Sequence, residues 1–266
     1  MNILITNDDS YKSKGIKVLA EILKPYGNIA VIAPSQVQSG MSMAVSLNEE
    51  RIRFKELYSG THYDRNGNEC THRWGALDAT PASCVKFGLS AEWLGWLPDV
   101  VVSGINHGAN TATASCYSGT LGAAAEAAIN HILGIGVSIC THDPDADFSA
   151  IQELFPAIFE KLLDAPKPSF MTYYNINFPD AKAENILGAK TGYMGRGRWV
   201  KEFKTVEPDN GNGESYYKMI GDFVSEISNT GEADHLITDH NLISIVPHTL
   251  DSTDYAQLKL LDSIDF

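Results

Sequence analysis

The sequence is short of positive charge, with 20 Lys and Arg against 33 Asp and Glu for a net charge of −13. A field of that sign repels nucleic-acid polymers and anionic membrane surfaces, so neither is an expected partner. Cysteine is scarce too: Cys70, Cys84, Cys116 and Cys140 show no CxxC spacing, which excludes a zinc ribbon and a thioredoxin-type motif. They read as reduced thiols, mostly packed inside. No apolar stretch reaches membrane-spanning length, and Met1 leads straight into the strand-like run Ile3 to Ile5 rather than into a secretory leader, so a cytoplasmic location is expected. The chain also lacks GxxxxGK[ST], a GxGxxG after its first strand, HExxH and GxSxG, together with any internal repeat or low-complexity linker. The histidines His62, His72, His235, His240 and His248 have no metal-ligand spacing.

What is present is a chain of 266 residues, 44% hydrophobic, enough for one sizeable α/β domain. Residues 1 to 6 form a β-branched apolar run, and Ile16, Leu19, Ala20 and Leu23 recur at helical spacing as far as Pro25. A second apolar run, Ile29 to Ala33, completes a β-α-β unit with parallel pairing. Alternation at Ile52 and Phe54 reads as a half-exposed strand, in a hairpin with residues near 70 to 75. Thr80 before Pro81 signals a helix start. Val100, Val101 and Val102 read as a central strand buried on both faces. An Ala-rich helix is expected from Ser118 to Gly134, a strand over 135 to 140 and an amphipathic helix from Phe148 to Leu162. After Pro179 the chain turns rich in Gly, Asn and aromatics, as in β-hairpins. A strand returns at 242 to 247, and Ser252 is placed to cap a short terminal helix. The expected division is a Rossmann-like core over 1–180, a hairpin-rich region over 181–240 and a returning segment over 241–266.

Three polar clusters follow the strands of that core. Asp8 and Asp9 stand on the loop after the first strand, at the sheet edge where open α/β sheets bind ligands. Taken alone, they fit a helix cap or a turn equally well. Ser35 to Ser42 follows the second strand, and the run SGINHGAN, residues 103 to 110, follows the valine strand. Two glycines and two asparagines there allow close backbone approach and offer neutral oxygen and amide groups. Ser118, Gly119 and Thr120 open the Ala-rich helix, whose free N–H groups and positive end suit a phosphate, although Ser118 also serves as a plain N-cap. Two carboxylates with a Ser and an Asn, and no clustered His or Cys, select a hard cation such as Mg²⁺ or Mn²⁺. A cation beside an anion-binding helix end points to phosphoryl transfer to water.

Assembled in order, the motifs ILITNDD (3–9), APSQVQSG (33–40), ATPASCV (79–85), VVSGINHGAN (101–110), YSGTLGAA (117–124), NINFP (175–179) and SIVPHTLDSTDY (244–255) make the chain resemble the SurE family of survival-protein 5′-nucleotidases. The resemblance implies a mostly parallel Rossmann-like sheet flanked by helices, with a hairpin-rich excursion and a C-terminal segment swapped between subunits. It implies hydrolysis of nucleoside 5′- or 3′-monophosphates with one divalent cation per subunit. Its metal ligands carry over to Asp8, Asp9, Ser39 and Asn106, its phosphate contacts to Asn110, Ser118, Gly119 and Thr120, and its catalytic function to Asp8, Asp9 and Asn110. A homodimer or homotetramer is expected. The sequence departs from the family pattern at Gln36, Val37 and Gln38, where basic residues are common, and at Ala79 and Ser83. Two other readings are a nucleotide- or phosphate-binding module without turnover, and a Rossmann dehydrogenase or methyltransferase, which the missing GxGxxG disfavours. His107 is a candidate proton donor, and Tyr193, Arg196 and Arg198 are candidates to reach a neighbouring subunit.

Overall fold

The computed structural model describes residues 1–47, 50–208 and 211–264. In chain order the elements are β1 (Asn2–Thr6), α1 (Lys14–Leu23), β2 (Asn28–Pro34), β3 (Phe54–Tyr63), β4 (Glu69–Leu77), α2 (Pro81–Ser90), β5 (Val100–His107), α3 (Gly119–Ile129), β6 (Leu133–Ile139), α4 (Ser149–Asp164) and β7 (Thr172–Phe178). There follow β8 (Ala189–Thr191), β9 (Gly197–Val200), β10 (Phe203–Glu207), β11 (Tyr216–Met219), β12 (Asp222–Ser225), α5 (Asp234–Asp239), β13 (Ile243–Thr249) and α6 (Tyr255–Leu261).

Among the described residues one nine-stranded sheet runs in the order β3-β4-β2-β1-β5-β6-β7-β13-β8. The six strands from β4 to β7 pair parallel, while β3 and β13 join antiparallel. From β1 the chain first builds outward through β2 and β4, then returns to place β5 on the other side of β1. The order therefore reverses between β1 and β5, and their carboxyl ends diverge into a crevice.

Alternation along the strands explains the two helical layers. Ile3 and Ile5 of β1 with Val100 and Val102 of β5 point into one core, against Ile16, Leu19 and Leu23 of α1 and Phe155 and Phe159 of α4. Leu4 and Val101 point to the other, against Cys84 and Val85 of α2 and Ala123 and Ala127 of α3. All are fully buried, so these strands must be apolar at every position. Each large side chain buried this way contributes about 1.5–3 kcal/mol.

Local chemistry sets the helix starts. Ser13, Thr80 and Ser118 cap α1, α2 and α3, accepting from the backbone N–H of Ile16, Ser83 and Leu121. The helix end expected at Gly134 is displaced: α3 stops at Ile129, His131 takes the left-handed conformation at φ 61°, and the N–H groups of His131 and Ile132 bond back to Ala128 and Ala127. Gly134 instead lies inside β6, where a Cβ would come within 2.0 Å of the Ala124 carbonyl oxygen. Nor does Ser252 cap the last helix. Asp254 does so, its carboxylate accepting from Ala256 and Gln257 at 3.0 and 2.9 Å.

Beyond β8, strands β9 and β12 pair antiparallel, as do β10 and β11. Every described residue of β10 and β11 is exposed. Cys70 and Cys84 are buried, Cys140 is partly covered and Cys116 is exposed, all as free thiols. Among the described residues no helix is long and apolar enough to cross a membrane.

Candidate active site

The crevice between the carboxyl ends of β1 and β5 holds a cleft of about 260 Å³, lined among others by Asp8, Ser39, Asn106, Asn110 and Ser118. Three loops and one helix end converge there because the parallel strands deliver them to the same side of the sheet.

The first loop turns sharply after β1. Asn7 donates through its side-chain amide to the Ser10 carbonyl at 3.0 Å and to Ser13 Oγ at 2.9 Å, and Ser10 takes φ 78°. That turn presents Asp8 and Asp9 in succession. Asp8 is 4% exposed, and its Oδ1 accepts from Thr120 Oγ at 2.6 Å. Burial, reinforced by the neighbouring charge of Asp9 and opposed by the Thr120 hydrogen bond, pushes its carboxyl up from 3.8 to about 6. Asp9 is more open, and its Oδ2 lies 3.3 Å from the backbone nitrogen and 3.5 Å from Nδ1 of His107.

The second loop is held down by backbone bonds: Gln38 N–H donates to the Asp8 carbonyl and Ser42 N–H to that of Tyr117. Ser39 is exposed at its turn. Gly122 of α3 permits this approach, since a Cβ there would meet the Ser42 carbonyl oxygen at 1.9 Å.

The third segment, the end of β5 and the loop after it, carries Asn106 and Asn110. Asn106 donates its amide to the Gly108 carbonyl at 2.7 Å, which turns its side-chain oxygen away as a remaining acceptor. Asn110 is fixed from three directions. Its N–H donates to Asn177 Oδ1 at 2.8 Å, its carbonyl accepts from Asn175 Nδ2 at 2.8 Å, and its own Nδ2 donates to Ser138 Oγ at 2.9 Å. Ser138, Asn175 and Asn177 have no solvent exposure, so this is a closed polar network inside the sheet. One amide hydrogen of Asn110 is left over from it. Two residues on, the N–H of Ala112 donates to both carboxylate oxygens of buried Asp234, locking a turn in which Ala112 has φ 47°.

Helix α3 begins on the fourth side. Gly119 brings its first turn against Asp8, as a Cβ there would lie 3.0 Å from Asp8 Cβ. Ser118 Oγ accepts from Leu121 N–H at 3.1 Å, which leaves its hydroxyl proton available to the cleft. The sequence-predicted residues thus gather around the crevice, where Thr120 has no exposure and its hydroxyl donates to Asp8.

The residues sequence reasoning left out are Asn7, Ser138, Asn175, Asn177 and Asp234, which hold the surrounding loops in place without being among the cleft's lining residues. NINFP carried a signal, because Asn175 and Asn177 alternate and must share one face of β7. His142, also beside the cleft, packs its ring against Gly108.

Among the described residues no group of three or more His, Cys, Asp or Glu converges on one point. The oxygen groups here are instead the Asp8 carboxylate, the Ser39 hydroxyl and the Asn106 amide oxygen at the cleft, with the Asp9 carboxylate beside them against His107. That set fits a hard divalent cation: Asp8 is a buried carboxylate with no basic side chain paired to it among the described residues, and the free Asn106 oxygen is neutral.

A doubly wound α/β sheet with an oxygen-lined cleft at its topological switch point, flanked by a helix N-terminus, defines a protein of the Rossmann-like class. The sequence model of the family described as survival protein SurE matches residues 3–201. A protein from Christiangramia forsetii named 5′-nucleotidase SurE is 34% identical over 265 residues, covering 98% of this chain and 95% of the relative. Another of that name from Thermoanaerobacter sp. (strain X514) is 35% identical over 266 residues, covering 100% and 98%. The crystal structure of the SurE protein from Aquifex aeolicus matches with a TM-score of 0.78 at 27% identity, covering 98% of both chains. The chain belongs to the SurE family.

Proposed function

We propose that this chain is a divalent-metal-dependent phosphomonoesterase that hydrolyses nucleoside 5′-monophosphates, and 3′-monophosphates as a second substrate class, to nucleoside and inorganic phosphate. The observation that carries this reading is the opposition, across one cleft, of an acidic oxygen set and a helix N-terminus. The name 5′-nucleotidase borne by the relatives from C. forsetii and Thermoanaerobacter supports it.

Asp8, Asp9, Ser39 and Asn106 would hold one Mg²⁺ or Mn²⁺ per subunit, which when bound would polarise a phosphoryl oxygen and acidify the attacking water. The first-turn amides of α3 and the Ser118 hydroxyl would take the remaining phosphoryl oxygens, with the positive helix end offsetting their charge. Asn110 would donate its free amide hydrogen to the same group. Because its other hydrogen bonds are fixed within the sheet, that donor is already oriented before substrate arrives, which is the arrangement that favours charge developing in a transition state. Asp9 would hold the His107 ring beside the cleft. A cytoplasmic homodimer or homotetramer, with no nucleic-acid or membrane partner, completes the proposal. In it, residues 181–240 are the oligomerisation region and the segment over 241–266 is exchanged between subunits.

The test is release of inorganic phosphate from AMP with Mn²⁺, with Mg²⁺ and after EDTA. Metal-dependent release is expected. Tight nucleotide binding with no release under any metal would instead make the chain a binding module.

A further inference from the structure

Away from the catalytic cleft, a groove of about 450 Å³ runs between α1 and the β3–β4 hairpin, lined by Tyr11, Lys12, Lys17, Lys24, Leu57, Tyr58, His72 and Trp74. Its floor is aromatic. The His72 ring stands 5.3 Å from that of Tyr58 and 6.2 Å from that of Trp74, and Trp74 Nε1 donates to His72 Nε2 at 2.6 Å. Tyr58 is 48% exposed, at the irregularity in the β3–β4 register between Glu56 and Tyr58. The rim is cationic in a chain of net charge −13, carrying Lys12, Lys17 and Lys24. Among the described residues the lysine ion pairs involve Lys24, Lys86 and Lys201, so Lys12 and Lys17 keep their charge uncompensated. Burial first, and then the charge of Lys24, push His72 down to about 4, so this ring is neutral at pH 7 and acts as an acceptor for Trp74.

We infer that this groove is a second, non-catalytic site for a mononucleotide, its base lying against Tyr58 and Trp74 and its phosphate against Lys12 and Lys17. Aromatic side chains lining a groove favour a planar ring, and free ammonium groups favour an anion. The volume lies within the range for a small ligand, and the net negative field disfavours a polymer or a membrane in its place. The site reaches the catalytic loop through the chain itself, since Tyr11 and Lys12 follow Asp8 and Asp9 by three residues and Tyr11 N–H is bonded to the Pro34 carbonyl. The inference rests on the groove and stands independently of whether the cleft hydrolyses its ligand.

The experiment is AMP binding to the full chain in EDTA, followed by isothermal titration calorimetry and tryptophan fluorescence. The wild type and Asn110→Asp, which disables the catalytic cleft, are to be compared with Lys17→Glu and Tyr58→Ala. Both of the latter substitutions lie on exposed or half-exposed positions where folding is undisturbed, verified by circular dichroism. The expected result is fluorescence quenching by AMP that persists in Asn110→Asp and weakens at least tenfold in affinity in Lys17→Glu and Tyr58→Ala. Adenosine and inorganic phosphate should each bind more weakly than AMP, because each engages only one half of the groove. Quenching lost in Asn110→Asp but intact in Lys17→Glu and Tyr58→Ala would overturn the site. So would a change in sedimentation of Lys17→Glu without any change in AMP affinity, which would make this surface a contact between copies of the chain.

Discussion

The cleft at the ends of β1 and β5 and the ribbon formed by β10 and β11 are opposites in what they bury. Around the cleft the chain buries polar groups, with Asn175, Asn177, Ser138 and Asp234 all without solvent exposure and each tied to a hydrogen-bonding partner. On the ribbon it exposes apolar ones: Phe203 is 66% and Met219 68% accessible. Burying an amide or a carboxylate is costly unless it is paired, so a closed polar network is kept where orientation matters more than stability. An exposed two-stranded ribbon with apolar side chains has no such compensation within its own chain. The cleft is lined by buried, paired polar groups, whereas the ribbon presents apolar side chains to solvent.

The comparison breaks first if the cleft is not acidic by design. Asp9→Asn is expected to fold normally and to lower Mn²⁺-dependent phosphate release from AMP by roughly 10³-fold, since an ion's contribution to charge stabilisation is several kcal/mol. Calorimetric titration should show Mn²⁺ affinity falling in parallel. Retained activity with unchanged metal affinity would remove Asp9 from the ligand set.

Asn110 tests the other wall. Asn110→Asp nearly preserves shape but sets a carboxylate against the phosphoryl group, and turnover should fall about 10²- to 10³-fold while Mn²⁺ binds as well or better. Asn110→Ala removes the donor without repulsion and should be milder, chiefly in KM. Loss of Mn²⁺ binding in Asn110→Ala would show that the two walls had been divided wrongly.

Asp8 sharpens the contrast by linking function to stability. Its folded-state pKa is raised, so without metal its ionisation opposes folding: stability falls as pH climbs from 3.8 to about 6 and stays lower above that. The displacement corresponds to roughly 3 kcal/mol at neutral pH. In EDTA, urea unfolding of Asp8→Asn should therefore show a gain of up to about 3 kcal/mol over wild type at pH 7.5, vanishing near pH 4. Excess Mn²⁺ should reverse the order by stabilising only the wild type. An equal loss of stability in Asp8→Asn at both pH values would show that its burial carries no cost to the anion.

How much of this was legible follows from the reach of each interaction. The β-α-β start, the buried valine strand and the caps at Thr80 and Ser118 rest on neighbours within a few residues, and the sequence displays them directly. The polar clusters at Asp8 and Asp9, 35–42 and 103–110 were brought to one edge by the parallel-sheet reading, and the choice of Ser39 and Asn106 within them came from the resemblance to the SurE family. The same logic cannot locate partners. Thr120 Oγ bonds Asp8 across 112 positions, and Asn110 is held by Asn175 and Asn177 from 65 and 67 positions away. No local pattern encodes which hydroxyl faces the ligand and which anchors a carboxylate. The end of α3 was misplaced for a different reason: His131 supplied the left-handed residue that glycine usually provides, and Gly134 was needed for close packing against Ala124.

The smallest expected effect concerns the ribbon. Phe203 and Met219 face each other across the β10–β11 pair, so they lie on one side of it and form a single apolar patch. Among the described residues nothing covers them, since both remain about two-thirds exposed. If a second copy does so, each side chain contributes on the order of 1.5–3 kcal/mol to assembly. Phe203→Asp should then weaken association by at least about tenfold in Kd, and Phe203→Asp combined with Met219→Asp should do so further. Because these residues support no packing within the subunit, thermal unfolding of the dissociated chain should be unaffected by either change. Sedimentation across a concentration series reads out the association directly. A wild-type chain sedimenting only as the 29.0 kDa species at micromolar concentration would place both regions on the same footing, each complete within one subunit. An oligomer indifferent to both substitutions would show that it forms through another surface and leaves the ribbon open.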